Sequence, residues 1–251
     1  MFNKNQVRYK TTDFKHYTLC RWISFVILPV FALWIVMFFA HDYNLNKYYN
    51  NIWLTLWMDW WGYFTIQSNV LVFIYLIWYW FNPTYKRLHG NFLIYVITYI
   101  TVTAGLYCGL LLPGNIEDAK TIVGAGKLFV FWLTTVIQHM IIPLIMLVFY
   151  ITYLFTTKGM FNHKRFEGYW ICVLLGMIYP LIYVFYAALL PWMSNHHFSV
   201  YGQFTNLDGG CIIDGKPGET FNLVYFVGAI ALFFVLLNLY RLFLSTKNTN
   251  K

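Results

Sequence analysis

The chain has 251 residues, of which 60% are hydrophobic and only 10% charged, and it carries a formal net charge of +8. A soluble domain is about a quarter charged, so a water-soluble core of this length cannot hide so much apolar surface. In a soluble chain this basic balance would point to nucleic acid; here the cations lie in tails and connections, where they set orientation, and no nucleic-acid partner is expected.

An apolar stretch of about 20 residues crosses a bilayer, and only helices or closed barrels satisfy their own backbone there. The runs in this sequence are long and continuous rather than short and alternating. The expected fold class is therefore all-α, a polytopic six-transmembrane-helix bundle forming one domain. A basic tail covers 1–21, and the first helix covers about 22–40. That run is too long for the apolar region of a signal peptide, about 7–15 residues, and reads as a retained anchor. The second helix covers about 53–81, with an aromatic entry that carries Asp59, and ends before Asn82-Pro83. The third covers about 92–112 and is expected to stop at Pro113-Gly114. Three more follow at about 127–155, 169–191 and 221–244, so the helical domain spans 22–245 and a second short tail fills 246–251.

Positive residues favour the cytoplasmic side. The N-terminal tail, the second connection, the fourth and the C-terminal end from Arg241 onward together hold thirteen Lys and Arg, whereas the alternate connections and their edges hold four: Lys47, Lys120, Lys127 and Lys216. The expectation is a multi-pass protein of the cell membrane with both termini in the cytoplasm. The longest connection, 193–220, then lies outside; it contains His196, His197 and the turn pairs Asp208-Gly209 and Pro217-Gly218. It reads equally as a cap over a cavity or as a solvated connector. Of the four cysteines, Cys108 and Cys211 are the pair that could meet on the outer side, while Cys20 and Cys172 fall near the inner ends of their helices. No Cys or His spacing suits a metal, and neither a metal nor a cofactor is expected.

Polar groups in hydrocarbon are costly and usually face the bundle interior. On the second helix Thr65, Ser68 and Asn69 share one face at spacings of three and four. On the fourth, Thr135, His139 and Pro143 recur at spacing four beside Gln138. Pro143 also removes the amide that would normally bond the His139 carbonyl. A hydroxyl beside an imidazole supplies a nucleophile and a base. The plainer reading is that the threonines bond back to carbonyls of their own helix and that His139 joins two helices. Gly105 and Gly109 read as a close helix contact, and Tyr179, Pro180, Tyr183 and Tyr186 as aromatic packing around a kink. The phosphate-binding loop, dinucleotide fingerprint, zinc-protease motif and serine-hydrolase elbow are all missing from the sequence.

The string Phe64-Thr65-Ile66-Gln67-Ser68-Asn69, together with Gln138-His139 and Pro143 four residues on, resembles the androgen-induced membrane lipid hydrolases, and more closely their bacterial six-helix relatives. The animal members differ in the string around their histidine and lack the Gln-Ser-Asn continuation. The resemblance implies hydrolysis of fatty acid esters by an intramembrane threonine and histidine. Thr65 would be nucleophile and His139 general base, with Ser68, Asn69, Gln138 and Thr135 in support. The partners implied are membrane lipids and a lipid or small-molecule substrate. Two other readings stay open: a small-solute transporter or its substrate-binding membrane subunit, and a non-catalytic scaffold whose polar stripes only join helices.

Overall fold

Backbone buried in lipid must close its hydrogen bonds within its own segment, and the apolar runs of this chain form helices accordingly. A computed structural model describes residues 18, 21–23, 25, 26, 28–30, 32, 33, 61–81, 86–156, 169–193, 199–201, 205–207, 212, 213, 216, 217 and 221–246. In chain order the helices are α1 (Arg21–Val30), α2 (Phe64–Phe81), α3 (Lys86–Leu106), α4 (Leu112–Thr121), α5 (Ala125–Val136), α6 (Ile142–Thr156), α7 (Tyr169–Met193) and α8 (Leu223–Thr246). Two π-helical turns, Tyr107–Leu111 and Ile137–Ile141, join α3 to α4 and α5 to α6. The fold is all-α. The only strands among the described residues are the two-residue pair Ile212–Ile213 and Lys216–Pro217, an antiparallel ribbon that pairs Ile212 with Pro217.

Among the described residues, five stretches are long and apolar enough to cross a membrane: Phe64–Phe81, Gly90–Gly109, Ala125–Leu154, Tyr169–Met193 and Leu223–Phe243. Helix α3 lies at the centre and packs against α2, α6 and α8, while α7 packs against α8. Leu93, Ile94, Ile97 and Ile100 of α3 are fully enclosed, as are Val72 and Leu76 of α2, Phe149 of α6 and Leu237 of α8. Leu144, Ile182 and Val224 face outward, at 61%, 62% and 78% exposure. Large side chains so exposed on long apolar helices have lipid as their solvent, and the protein is an integral membrane protein.

Several expected boundaries differ. Residues 53–60 of the second helix, with Asp59, lie outside the described residues, as does 34–40 of the first. Trp61–Tyr63 are not helical, and α2 begins only at Phe64, where the Tyr63 carbonyl accepts from the amides of Ile66 and Gln67. The third helix does not stop at Pro113; helical structure continues through α4 to Thr121. Proline lacks a donor and crowds the carbonyl four residues back, and one widened turn relieves both problems. The Leu112 amide bonds to Tyr107 O, and the Ile142 amide to Ile137 O, each five residues back and each just before a proline. The Gly105/Gly109 contact is also absent, since a Cβ at either position would meet nothing within 4 Å. The close approach falls at Gly176, where a Cβ would lie 2.8 Å from Leu237 and 2.9 Å from Tyr95.

Candidate functional site

The first turn of α2 is polar and yet buried, so each of its groups needs a protein partner. Helix α7 supplies two. Tyr183 donates to the Gly62 carbonyl at 2.8 Å and accepts from the Phe64 amide at 3.0 Å. Tyr179, one turn earlier, donates to Gln67 Oε1 at 2.7 Å, and Gln67 Nε2 donates to Trp61 O at 2.6 Å. Phe64 anchors the same turn through edge-on contacts with Tyr183 and Phe233, at ring separations of 4.9 and 5.3 Å. The α7 tyrosines do more than pack and kink: they cap the start of α2 inside the bundle.

The expected stripe of Thr65, Ser68 and Asn69 faces inward. Ser68 Oγ donates to Thr65 O at 2.9 Å and also lies 2.8 Å from Thr103 Oγ1 of α3. Asn69 Nδ2 donates to Thr65 O at 2.7 Å and reaches Gln138 O in the second π-turn at 3.4 Å. One amide thus spans the backbones of Thr65 and of the residue before His139. Asn69 Oδ1 is buried with no protein partner among the described residues.

His139 Nδ1 lies 2.9 Å from the Thr135 carbonyl, which can only accept. The proton therefore sits on Nδ1, and in the neutral ring Nε2 is the acceptor. Its ring stacks on Tyr107, with centroids 3.8 Å apart and planes at 21°. Both rings come from π-turns, which occur often at functional sites because the extra residue re-aims side chains. Asn115 Nδ2 donates to the Tyr107 hydroxyl at 3.3 Å.

A cavity of about 60 Å³ lies beside Thr65. Its surface is almost wholly apolar: Phe64, Leu106, Leu111, Val184, Ala229 and Phe233 line it together with Thr65, Thr103, Tyr107, Tyr183, Tyr201 and Thr205, and no charged residue does. Tyr107 and Thr65 both line it, whereas His139 does not and is linked to it through the ring stacked on Tyr107. Among the expected supporting residues, Ser68, Asn69 and Gln138 connect through the bonds above, and Thr135 orients His139.

The 193–220 connection contributes as well. Val200, Tyr201, Thr205 and Asn206 fold inward, and Thr205 Oγ1 donates to Val200 O. Tyr201 places its hydroxyl 3.3 Å from Thr65 Oγ1 and its ring edge-on to Tyr63. Burial pushes the Tyr201 phenol above its usual range, while the Thr65 hydroxyl and the backbone amides of Thr65 and Phe64 pull the other way. It stays protonated at neutral pH. Its backbone has φ +53°, the one positive φ at a non-glycine among the described residues. A bulky residue held there stores roughly 1–3 kcal/mol. His196, His197, Asp208–Gly210 and Cys211 lie outside the described residues, and Cys108 is an exposed free thiol.

Sequence reasoning missed Tyr107, Thr103, Tyr183, Tyr201 and Thr205 as lining groups. Tyr179 and Tyr183 carried a usable signal, two phenols one turn apart in an apolar helix. Tyr201 carried none, because it meets Thr65 across 136 positions.

The family model for a protein of unknown function, DUF1600, matches residues 131–251, a stretch that includes His139 and Tyr201 but not Thr65. An uncharacterized protein of Mycoplasma pneumoniae is 30% identical over 174 residues, covering 65% of this chain and 65% of its own length. An uncharacterized protein of Mycoplasma genitalium is 28% identical over 151 residues, covering 57% of this chain and 54% of its own. The chain thus spans less than two thirds of the length of these relatives. No solved structure matches. None of these descriptions assigns an activity, so the resemblance to the androgen-induced hydrolases rests on the two motif strings alone; what the comparisons support is similarity to DUF1600 and to these uncharacterized mycoplasma proteins.

Proposed function

We propose that the protein is an intramembrane lipid-ester hydrolase of the cell membrane, with both termini cytoplasmic and with Thr65 and His139 as nucleophile and base. One observation carries the reading: a cavity with apolar, uncharged walls whose lining includes both Thr65 and Tyr107, with the His139 ring stacked on Tyr107. Apolar walls suit an acyl chain. Coupled ion transport usually relies on intramembrane carboxylates, and the cavity lining has none.

In the reaction Thr65 Oγ1 attacks the ester carbonyl while His139 Nε2, directly or through one water, takes the threonine proton. The same proton passes to the departing alkoxide, which leaves as an alcohol, and an acyl ester remains on Thr65. A water deprotonated by His139 then cleaves that ester, releases a carboxylic acid and restores the hydroxyl. Thr135 O holds the imidazole in the tautomer this requires.

The test is covalent labelling of the detergent-purified protein with an alkyl fluorophosphonate. Labelling is expected at Thr65, lost in Thr65→Ala, and slowed by about 100-fold or more in His139→Gln, the scale of a missing general base. Undiminished labelling of Thr65→Ala would sink the nucleophile assignment. Solute uptake into proteoliposomes without labelling would favour transport.

A further inference from the structure

We infer that Tyr201 is the gate of this cavity: its ring closes the site above Thr65 and must swing away before a lipid-sized ligand reaches the hydroxyl. The inference rests on the reading of the cavity as a ligand site, but not on any reaction at Thr65. Size is the first argument. The cavity measures about 60 Å³, whereas sites for small organic ligands run to about 300–1,000 Å³. An acyl ester does not fit a space of this volume, so some part of the wall moves.

Position identifies the part. Ten of the twelve lining residues belong to the helical spans and their π-turns, which the core and the capping bonds hold in place; only Tyr201 and Thr205 come from the connection between α7 and α8. Tyr201 is buried, with its phenol oxygen beside the Thr65 hydroxyl and the backbone amides of Phe64 and Thr65. Its hydroxyl meets Thr65 at 3.3 Å, beyond the usual 2.5–3.0 Å or so of an O–H···O bond, and its ring touches Tyr63 edge-on. Opposing these contacts is the backbone at φ +53°, a conformation that a tyrosine leaves with a gain once its ring is released. The backbone strain thus works against the contacts that keep the ring in place. The closing group is also matched chemically to what replaces it. A phenol oxygen beside the Thr65 hydroxyl and the first amides of α2 occupies the position where an ester carbonyl would accept from the same donors.

The experiment measures access to position 65 with a small methanethiosulfonate reagent. The protein carries Thr65→Cys, has Cys20, Cys108 and Cys211 replaced by alanine, and retains the buried Cys172 as a reporter of unfolding. With Tyr201 present, the thiol introduced at position 65 should react slowly. Adding Tyr201→Ala should raise the rate by about tenfold or more, as expected when a minor open population becomes dominant. Tyr201→Phe, which keeps the ring but loses the hydroxyl contact, should raise it by about threefold, with Cys172 silent throughout. Equal rates in the three proteins overturn the gate. If Tyr201→Ala also exposes Cys172, the phenylalanine variant decides, and a rate equal to the parent's overturns the inference. Thiol labelling needs no ester, so a gate without hydrolysis would show the rate changes while the fluorophosphonate fails to label Thr65.

Discussion

Gly176 sits in the tightest helix contact among the described glycines, whereas Gly105 and Gly109 of the central span meet nothing within 4 Å. Thr65, Ser68 and Asn69 could be placed together because spacings of three and four share a helix face whatever the rest of the chain does. Gly105 and Gly109 have the spacing of a contact motif, but both sit where nothing approaches. Two alanine substitutions should therefore act with opposite signs. Gly176→Ala forces a methyl group against Leu237 and the Tyr95 ring; overpacking of this kind costs about 1–3 kcal/mol, and the melting temperature in detergent should fall. Gly105→Ala enters open space and removes a poor helix former, worth up to about 1 kcal/mol, so its melting temperature should hold or rise. A lower melting temperature for Gly105→Ala would contradict the packing described here.

At the level of elements the two prolines determine more than their own turns. Pro113 and Pro143 each follow a π-turn by two residues, and each turn carries one ring of the Tyr107–His139 stack. Pro143→Ala restores an amide donor for His139 O and lets the turn close as ordinary α-helix, which removes the extra residue and rotates one half of the span against the other by about 100°. Stability should be maintained or improved, because proline is the poorest residue for a helix interior. Reaction of Thr65 with the fluorophosphonate should nevertheless drop by at least about tenfold, since misplacement by about 1 Å can cost this much. A variant that is equally stable and equally reactive would show that the stack has no part in the chemistry. The sequence revealed that His139 would lose its amide partner, but it did not reveal that the helix would widen rather than break.

For the whole molecule, α3 sits at the centre of the described helices and packs against α2, α6 and α8, while Val200 and Tyr201 of the connection between α7 and α8 pack beside Tyr63 and the end of α7. The charge asymmetry predicts an orientation that labelling can check. Cysteines introduced at Lys86 and Lys247 in cysteine-free protein should resist an impermeant maleimide in intact cells and react after lysis, and one at Lys216 should react in both. The reverse pattern would place the cavity and its gate on the cytoplasmic side.

The sequence by itself determined that the chain lives in a membrane as helices, because apolar run length and the demand for internal backbone bonding are local properties. It also determined which short strings are polar within those helices. Only the tertiary structure decided that α2 begins at Phe64, where tyrosines from α7 cap its first turn, and that Tyr107 backs His139. Tertiary structure alone likewise decided that a tyrosine 136 positions from Thr65 brings its hydroxyl against it. Each of these contacts joins side chains from different elements, and the free energy of such a contact exists only once packing has brought them together.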